Sequence, residues 1–218
     1  MKKIIIVDYQ LGNLFSVNQA CKRRGLNASI SSDHKEIKNA DGLILPGVGA
    51  FKQAMSNLKQ FDLVKPLNDF VESGKPLFGI CLGLQLLFSM SDEFGETKGL
   101  DLIKGSIKKF NLAEISSQEN KYKIPNIGWN TITQDDDQIW NKTPLNDLEN
   151  NSFMYFVHSY YIDPKDKNII TSFSKYGDFT YPSSIASKNI FATQFHPEKS
   201  GEIGLKIYNK WALINNLK

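Results

Sequence analysis

The sequence has few cysteines, no long apolar run and no concentrated charge, and each absence excludes a class of protein. Cys21 and Cys81 are the only cysteines among 218 residues, which is too few for a disulfide framework and is typical of reduced thiols in a cytoplasmic protein. The apolar run Ile4–Val7 is too short for a signal peptide or a membrane span. The 26 Lys and Arg residues are dispersed among 23 Asp and Glu residues. We therefore expect a cytoplasmic protein that binds neither membranes nor nucleic acid.

Branched-aliphatic runs alternate with amphipathic segments through the first hundred residues. Such alternation is typical of a mostly parallel sheet whose two faces are covered by helices. The predicted strands are Lys3–Val7, Ala28–Ile30, Gly42–Leu45 and Pro76–Ile80, and the predicted helices are Leu14–Cys21, Asp33–Lys38, Leu63–Val71 and Leu82–Ser89.

After about Gly99 the pattern changes, because strand-like segments follow one another with only turns between them. No linker or internal repeat separates the two halves. We therefore expect one α/β domain, residues 1–218, with a mostly parallel central sheet flanked by helices and an antiparallel β extension. The predicted elements of this half are strands at Ser106–Phe110, Asn130–Thr133, Ser152–Ile162 and Ile169–Ser174, and a closing helix at Glu202–Leu213.

The segment Gly79–Gln85 carries the strongest local signal for chemistry. An apolar strand runs into Cys81, which is flanked by glycines, and an apolar helix follows. This pattern predicts a sharp strand-to-helix turn with an exposed sulfur, and the positive end of the helix would favour the nucleophilic thiolate. The alternative is that Cys81 is a small buried hydrophobic residue beside turn glycines.

A thiolate nucleophile needs a group that carries protons, and the chain has three histidines, His34, His158 and His196. His196 is the best candidate because it ends an apolar strand and precedes Glu198 by two residues, so that the carboxylate could orient its ring. The alternative for His196 is an ordinary turn histidine. His34 lies among polar residues and is expected to be solvated or to cap a helix.

The oxyanion formed by attack on an amide requires backbone N–H donors. Pro46–Ala50 is a glycine-rich segment after a predicted strand, at the sheet edge where ligands of α/β proteins bind. A plain turn or a phosphate-binding loop are the alternatives, although the Lys-Ser/Thr of phosphate loops is absent. The candidate donors are the N–H groups of Gly47, Val48, Gly49 and Leu82.

Together these segments resemble the class I (triad) glutamine amidotransferases, and the resemblance covers nearly the whole chain. It implies a flavodoxin-like α/β fold. The matching segments are Val7–Tyr9 with Gly12 and Asn13, Leu45–Phe51, Gly79–Phe88, Ile127–Asn130, Tyr155–Tyr160 and Gln194–Ser200.

The resemblance implies hydrolysis of L-glutamine to glutamate and ammonia through a glutamyl thioester on Cys81, without cofactor or metal. His196 would be the general base and acid, and Glu198 would orient it. A hydrogen-bonded histidine within a strand is the alternative for His158, and Cys21 is expected in the core. By the same matching, the substrate contacts are Gln85, Glu93, His158, Ser159 and Tyr160.

The resemblance also implies a partner. It is greatest to the branch that works in histidine biosynthesis, in which the ammonia passes to a (β/α)8 barrel cyclase subunit within a heterodimer. Trp129 suits an interface anchor, and core packing is its alternative. The residues placed at this face by matching are Tyr9, Gly12, Asn13 and the segment Ile127–Asn130, which contains Trp129.

The sequence is also compatible with other functions. Gln10 and Asn126 depart from that branch, and Asn13–Val17 and Glu93–Gly95 resemble a paralogous branch that supplies ammonia for the modification of surface-polysaccharide sugars. A noncatalytic binding module of the same fold and a stand-alone hydrolase of γ-glutamyl compounds are further alternatives.

Overall fold

The computed structural model describes residues 2–115, 122–136 and 139–218. The strands are β1 Ile4–Val7, β2 Ala28–Ser31, β3 Gly42–Gly47, β4 Leu77–Cys81, β5 Phe88–Ser91, β6 Thr97–Lys98, β7 Ile103–Lys109, β8 Asn126–Ile132, β9 Ser152–His158, β10 Tyr160–Pro164, β11 Ile170–Tyr176, β12 Phe179–Ser187 and β13 Ile190–Thr193. The helices are α1 Leu14–Arg23, α2 His34–Asn39, α3 Phe51–Gln60, α4 Val64–Glu72, α5 Leu82–Leu86, α6 Leu112–Ile115 and α7 Gly201–Ile214.

A seven-stranded sheet in the order β11-β12-β13-β4-β3-β1-β2 forms the centre of the structure. Its strands from β13 to β2 are mutually parallel, and β12 and β11 extend it in antiparallel orientation. This arrangement confirms the predicted fold class. Strand β1 illustrates why the sequence forms this sheet, because all four of its aliphatic side chains are buried.

The core lies in two layers, one on each face of this sheet. Ile5 and Val7 of β1 belong to one hydrophobic cluster, and Ile4 and Ile6 belong to the other, since side chains alternate along a strand. Two smaller sheets contribute buried side chains to these two hydrophobic clusters. One has the order β10-β7-β5-β6, and the other is the antiparallel pair β8-β9.

The helix predicted at Leu82–Ser89 is wrong in its second half. Helix α5 ends at Leu86, and Phe88 begins strand β5, which pairs with β7. The residues of this segment are buried nearly throughout, and an apolar run that is buried on all sides does not distinguish helix from strand by periodicity. The strand predicted at Ser152–Ile162 is likewise two strands, β9 and β10, which are interrupted at Ser159.

In the parts of the chain that the structure describes, no helix combines the length and the apolar composition needed to cross a membrane.

Candidate active site

The candidate site lies at the carboxyl edge of the parallel strands, where three neighbouring strands end together. In the register of the sheet, Gly47 of β3 is paired with Cys81 of β4, and Thr193 of β13 is paired with Ile80. The segments that follow these strands therefore meet at one edge. This is the position at which open α/β sheets bind their ligands.

Cys81 occupies the sharp turn that its flanking glycines predict. The expectation of an exposed sulfur is wrong, because Cys81 is only 5% exposed. Its backbone has φ +55° and ψ −109°, a conformation that side-chain-bearing residues rarely adopt and that costs about 1–3 kcal/mol. The glycines allow the close packing that holds this turn. A Cβ on Gly83 would lie 1.7 Å from the Leu45 carbonyl oxygen, and one on Gly79 would lie 3.0 Å from the Ala192 Cβ.

The helix after Cys81 is shorter than predicted, with five residues. A helix of little more than one turn sums few peptide dipoles, so its contribution to a thiolate is smaller than the sequence suggests. The sulfur has two other contacts. The thiol donates to the Val157 carbonyl oxygen at 3.8 Å, and the side-chain amide of Gln194 donates to the sulfur at 3.7 Å.

His196 and Glu198 form a buried pair in the segment after β13. Pro197 begins a short 3-10 helix, Pro197–Lys199, which brings the carboxylate back toward the ring. Nδ1 of His196 lies 2.7 Å from Oε1 of Glu198, and these side chains are 2% and 1% exposed. The His196 N–H donates to the Tyr155 carbonyl oxygen at 2.9 Å, which fixes the backbone of the histidine to β9.

The electrostatics of His196 suit a proton carrier beside a thiolate. Burial lowers the pKa of His196, but the negative charges of Cys81 and Glu198 more than reverse this, so that the pKa rises to about 10. Its Nε2 atom has no hydrogen-bond partner among the described residues. The ring can therefore hold a proton on the nitrogen opposite Glu198 and deliver it to a leaving group.

The candidate oxyanion donors lie beside Cys81. Val48 is half-buried, whereas Gly49 is exposed and has a φ of +104°. The buried Tyr9 hydroxyl donates to the Pro46 carbonyl oxygen at 2.7 Å, and a Cβ on Gly47 would lie 2.1 Å from that hydroxyl. The Tyr9 side chain thus packs against the backbone of Pro46 and Gly47 and supports the candidate oxyanion segment. Leu82, the fourth candidate donor, is the first residue of α5.

Three of the candidate substrate residues are linked to the same region. Gln85 is buried, and its Nε2 donates to the Tyr160 carbonyl oxygen at 3.2 Å. The Glu93 carboxylate accepts the N–H of Phe51, the first residue of α3, and thereby joins the end of the oxyanion segment. Burial and the negative charge of Glu93 raise the pKa of Tyr160. Ser159 is half-buried, and its carbonyl oxygen accepts the Phe110 N–H.

His158 is bonded on both sides within the protein. Its Nδ1 lies 2.8 Å from the Tyr160 carbonyl oxygen, and its Nε2 lies 3.3 Å from the Tyr181 hydroxyl and 3.4 Å from the Asn126 amide nitrogen. Burial lowers the pKa of His158 to about 4, a backbone bond to Tyr160 opposes this, and the charge of His196 adds to it. The geometry is that of a neutral, satisfied histidine. Asn126 is correspondingly buried rather than exposed on a docking face.

The remaining histidine and cysteine have local roles. His34 is the first residue of α2, is exposed, and contacts the Phe61 carbonyl oxygen through Nε2. Cys21 lies in the core, where burial raises the pKa of its thiol to about 12. Among the described residues, no group of three or more His, Cys, Asp or Glu side chains could hold a metal ion.

The predicted partner residues divide into buried and exposed groups. Tyr9 is completely buried, so it presents no side-chain surface. Gly12 and Asn13 lie at the start of α1, where the Asn13 side chain caps the helix through the Ser16 N–H. Trp129 is 57% exposed, which excludes its core-packing alternative.

Two further apolar residues share the outer face of the β8-β9 pair with Trp129: Ile127, which belongs to the segment placed at this face, and Phe153, which was missed from sequence. They are 60% and 57% exposed. Alternation along the strand is the signal that could have found Phe153. We refer to Ile127, Trp129 and Phe153 together as the β8-β9 face.

The sequence and the fold both match a known class of proteins. A family model described as "Glutamine amidotransferase class-I" matches residues 5–213. The chain therefore belongs to the class I glutamine amidotransferases.

Relatives within this class include proteins named "Imidazole glycerol phosphate synthase subunit HisH". The protein of that name from Prochlorococcus marinus (strain NATL2A) is 48% identical, and the match covers all of this chain and 98% of the relative. One from Bacillus cereus (strain ATCC 14579) is 46% identical, with 94% of this chain and 91% of the relative covered.

Solved structures support the fold independently. "Structure of PurLQS from Thermotoga maritima" superposes with a TM-score of 0.73 at 18% identity and covers all of this chain and 99% of that one. A "putative gmp synthase subunit a protein" from Thermoplasma acidophilum gives 0.69 at 18% identity, over 99% of this chain and 94% of that one.

Proposed function

We propose that this chain is the glutaminase subunit of a cytoplasmic imidazole glycerol phosphate synthase and acts in histidine biosynthesis as a single catalytic domain, residues 1–218. The observation that carries the proposal is the strained Cys81 at the carboxyl edge of the sheet, whose charge acts on a His196 that is bonded to Glu198. The name of the similar relatives supports the pathway.

In the first half of the reaction, the Cys81 thiolate attacks the side-chain carbonyl carbon of L-glutamine. A C–S bond forms, and the negative charge moves to the carbonyl oxygen. The backbone N–H groups of the segment Gly47–Gly49 and of Leu82 are the donors proposed for this oxyanion. The C–N bond then breaks, and the imidazolium of His196 gives its proton to the departing nitrogen, which leaves as ammonia.

In the second half, the same residues hydrolyse the glutamyl thioester. Neutral His196 takes a proton from water as the oxygen attacks the thioester carbon. The C–S bond breaks, glutamate leaves, and the thiolate and imidazolium are restored. Glu198 keeps the ring in place through Nδ1 during both proton transfers. Gln85, Glu93, Ser159 and Tyr160 are the side chains and backbone groups proposed to hold the amino-acid end of the substrate, and the buried His158 supports them.

The ammonia is proposed to pass to a separate (β/α)8 barrel cyclase subunit, which makes imidazole glycerol phosphate and the aminoimidazole carboxamide ribotide AICAR. The word "subunit" in the relatives' name supports a partner. On this chain, the β8-β9 face is the apolar surface proposed to dock it, and Gly12 and Asn13 at the start of α1 are further proposed contacts. Exposed aromatic residues in such a surface are typical interface anchors.

The test is a glutaminase assay of the chain with and without a barrel cyclase subunit and its ligand. We expect glutamate release to be low for the chain alone and to rise strongly in the liganded complex. The Cys81→Ala variant should release none. Cys21→Ala is the matched control, because Cys21 is the other thiol and lies in the core, and it should retain activity.

Three results would contradict the proposal. Glutamate release by Cys81→Ala in the complex would refute the thioester mechanism. Full turnover without any partner would favour a stand-alone hydrolase. Activation by a barrel from sugar modification, and not by the cyclase, would assign the chain to the paralogous branch.

A further inference from the structure

Gln194 is a completely buried polar residue that the reaction described above does not use. It follows β13 directly and lies two residues before His196. Both ends of its side-chain amide have partners. Its Oε1 accepts a hydrogen bond from Gln85 Nε2 at 3.0 Å, and its Nε2 donates to the sulfur of Cys81 at 3.7 Å.

A chain of contacts fixes which end of the amide faces the sulfur. The carbonyl oxygen of Tyr160 can only accept, so the Gln85 atom beside it is the amide nitrogen. The second N–H of that nitrogen needs an acceptor, and Gln194 Oε1 supplies it. The Gln194 nitrogen is therefore directed at Cys81. The carbonyl oxygen of Gln85 remains the one group of its amide that is available to a ligand.

The sulfur of Cys81 has contacts of opposite effect. The Val157 carbonyl oxygen accepts from the thiol and so favours the protonated form. His196, after β13, favours the thiolate when it carries a proton, and the buried Tyr9 hydroxyl after β1 is close enough for the charge of Cys81 to act on it. The short α5 adds little. The Gln194 N–H is a donor of fixed direction, and hydrogen bonds to an ionised acceptor are the strong ones.

We propose that Gln194 is a further catalytic residue, whose side-chain N–H, oriented through Gln85 and the Tyr160 carbonyl oxygen, stabilises the Cys81 thiolate. The role depends on the proposed function only in taking Cys81 as the nucleophile. It is measurable on the chain alone, without glutamine or a partner.

The experiment follows the rate of Cys81 alkylation by iodoacetamide as a function of pH, in the full chain, with the modified residue identified by mass spectrometry. In Gln194→Met, which keeps the length of the side chain but lacks the donor, the midpoint of the profile should move up by about one pH unit. The rate near neutral pH should then fall about tenfold. Gln194→Glu, which has the same shape and no N–H, should shift the midpoint at least as far.

Thr193→Val is the matched control. Thr193 precedes Gln194, is equally buried, and donates to the Phe195 carbonyl oxygen rather than to the sulfur. Its alkylation profile should equal that of the wild type. A midpoint that is unchanged in folded Gln194→Met and Gln194→Glu would overturn the proposal, whatever the glutaminase activity of the complex. Loss of activity with an unshifted profile would also overturn it.

A measurement on the unsubstituted protein covers the case in which these variants do not fold. In chain labelled with 15N-glutamine, one side-chain NH2 pair should shift over the pH range in which Cys81 ionises, and this shift should vanish in Cys81→Ala. If no glutamine side chain responds to that ionisation, the proposal is wrong.

Discussion

The three proposed catalytic residues are all buried, and Cys81 in addition has a strained backbone. Cys81 has a positive φ, and the imidazole of His196 and the carboxylate of Glu198 are almost completely buried. Buried charges are stable only when they are paired, and here each has its partner in the site. The proton distribution among these groups therefore determines when the site is active.

The pH dependence of glutaminase activity follows from that distribution. Acid protonates the thiolate, so activity should fall as the pH is lowered. Burial lowers the pKa of His196 and the charges of Cys81 and Glu198 raise it to about 10, so activity should also fall above that pH as the ring loses its proton. Rates of the complex under conditions in which chemistry is limiting will measure this. A flat profile between about pH 5 and 8 would contradict it.

His158 predicts a pH dependence of stability. Burial lowers its pKa to about 4 from the ordinary 6.5, so below that ordinary value the unfolded chain binds more protons than the folded one. Its stabilising effect is complete at higher pH and is lost as the pH falls toward 4. Between pH 6.5 and 5 the loss should be about 2 kcal/mol.

Urea unfolding of the wild type and of His158→Gln at these two pH values will test this expectation. The variant has no titrating group at this position. Between pH 6.5 and 5 its free energy of unfolding should therefore fall by about 2 kcal/mol less than that of the wild type. Equal pH dependence in the two proteins would show that His158 is protonated in the folded state.

Some residues of the candidate site could be predicted from the sequence, and others could not. Cys81, His196 and Glu198 are recognisable because each lies in a short motif whose chemistry is local. Gln194 is not, because its partners Gln85 and Cys81 are 109 and 113 residues away. Gln10, which departs from the related branch, has a φ of +65°, a conformation that glycine adopts without strain.

At the level of elements, α7 holds the segment that carries His196, the proposed catalytic histidine. A Cβ on Gly204 would lie 2.1 Å from the carbonyl oxygen of Pro197, so the helix is in direct backbone contact with the 3-10 helix that contains Glu198. The helix and the catalytic pair are therefore positioned together.

Gly204→Ala should consequently destabilise the fold by about 1–3 kcal/mol and reduce activity, because the added methyl displaces Pro197. Gly201→Ala in the same helix is the control. Its Cβ would meet nothing within 4 Å, but its φ is +64°, so it should cost about 1–2 kcal/mol without changing activity. Urea unfolding and the glutaminase assay separate these effects. Normal activity in a folded Gly204→Ala protein would contradict the coupling.

The elements of the parallel half were predictable because a strand buried on both faces has a continuous apolar sequence. Helix α3 was not predicted, although Phe51, Ala54, Met55 and Leu58 have helical spacing and are buried. The end of α5 could not be predicted from the local sequence. It is set by β7, with which Phe88 pairs through Ile103.

At the level of the whole molecule, the proposed docking surface and the proposed active site share one strand pair, because the backbone of β9 contacts both Cys81 and His196. Trp129 packs edge-on against Tyr155 with a ring separation of 6.0 Å, and Lys199 lies over the Tyr155 ring. The Tyr155 ring thus supports the exposed indole from one side, which suits an interface anchor.

Trp129→Ala should weaken the complex with the barrel subunit by about 2–4 kcal/mol, which is roughly 30- to 1000-fold in Kd. Titration calorimetry will measure it. Leu213→Ala, which removes a half-exposed leucine near the end of α7, is the control and should bind as the wild type does. If the two variants bind equally well, the partner docks elsewhere.

Strand β9 contacts both reacting groups through its backbone. The carbonyl oxygen of Tyr155 holds the His196 N–H, and that of Val157 holds the Cys81 thiol, while the opposite edge of the strand pairs with β8. Nucleophile and proton carrier therefore share one mechanical support. A protein bound to the outer face of this strand pair would act on both groups through the same strand, so turnover would be switched as a unit.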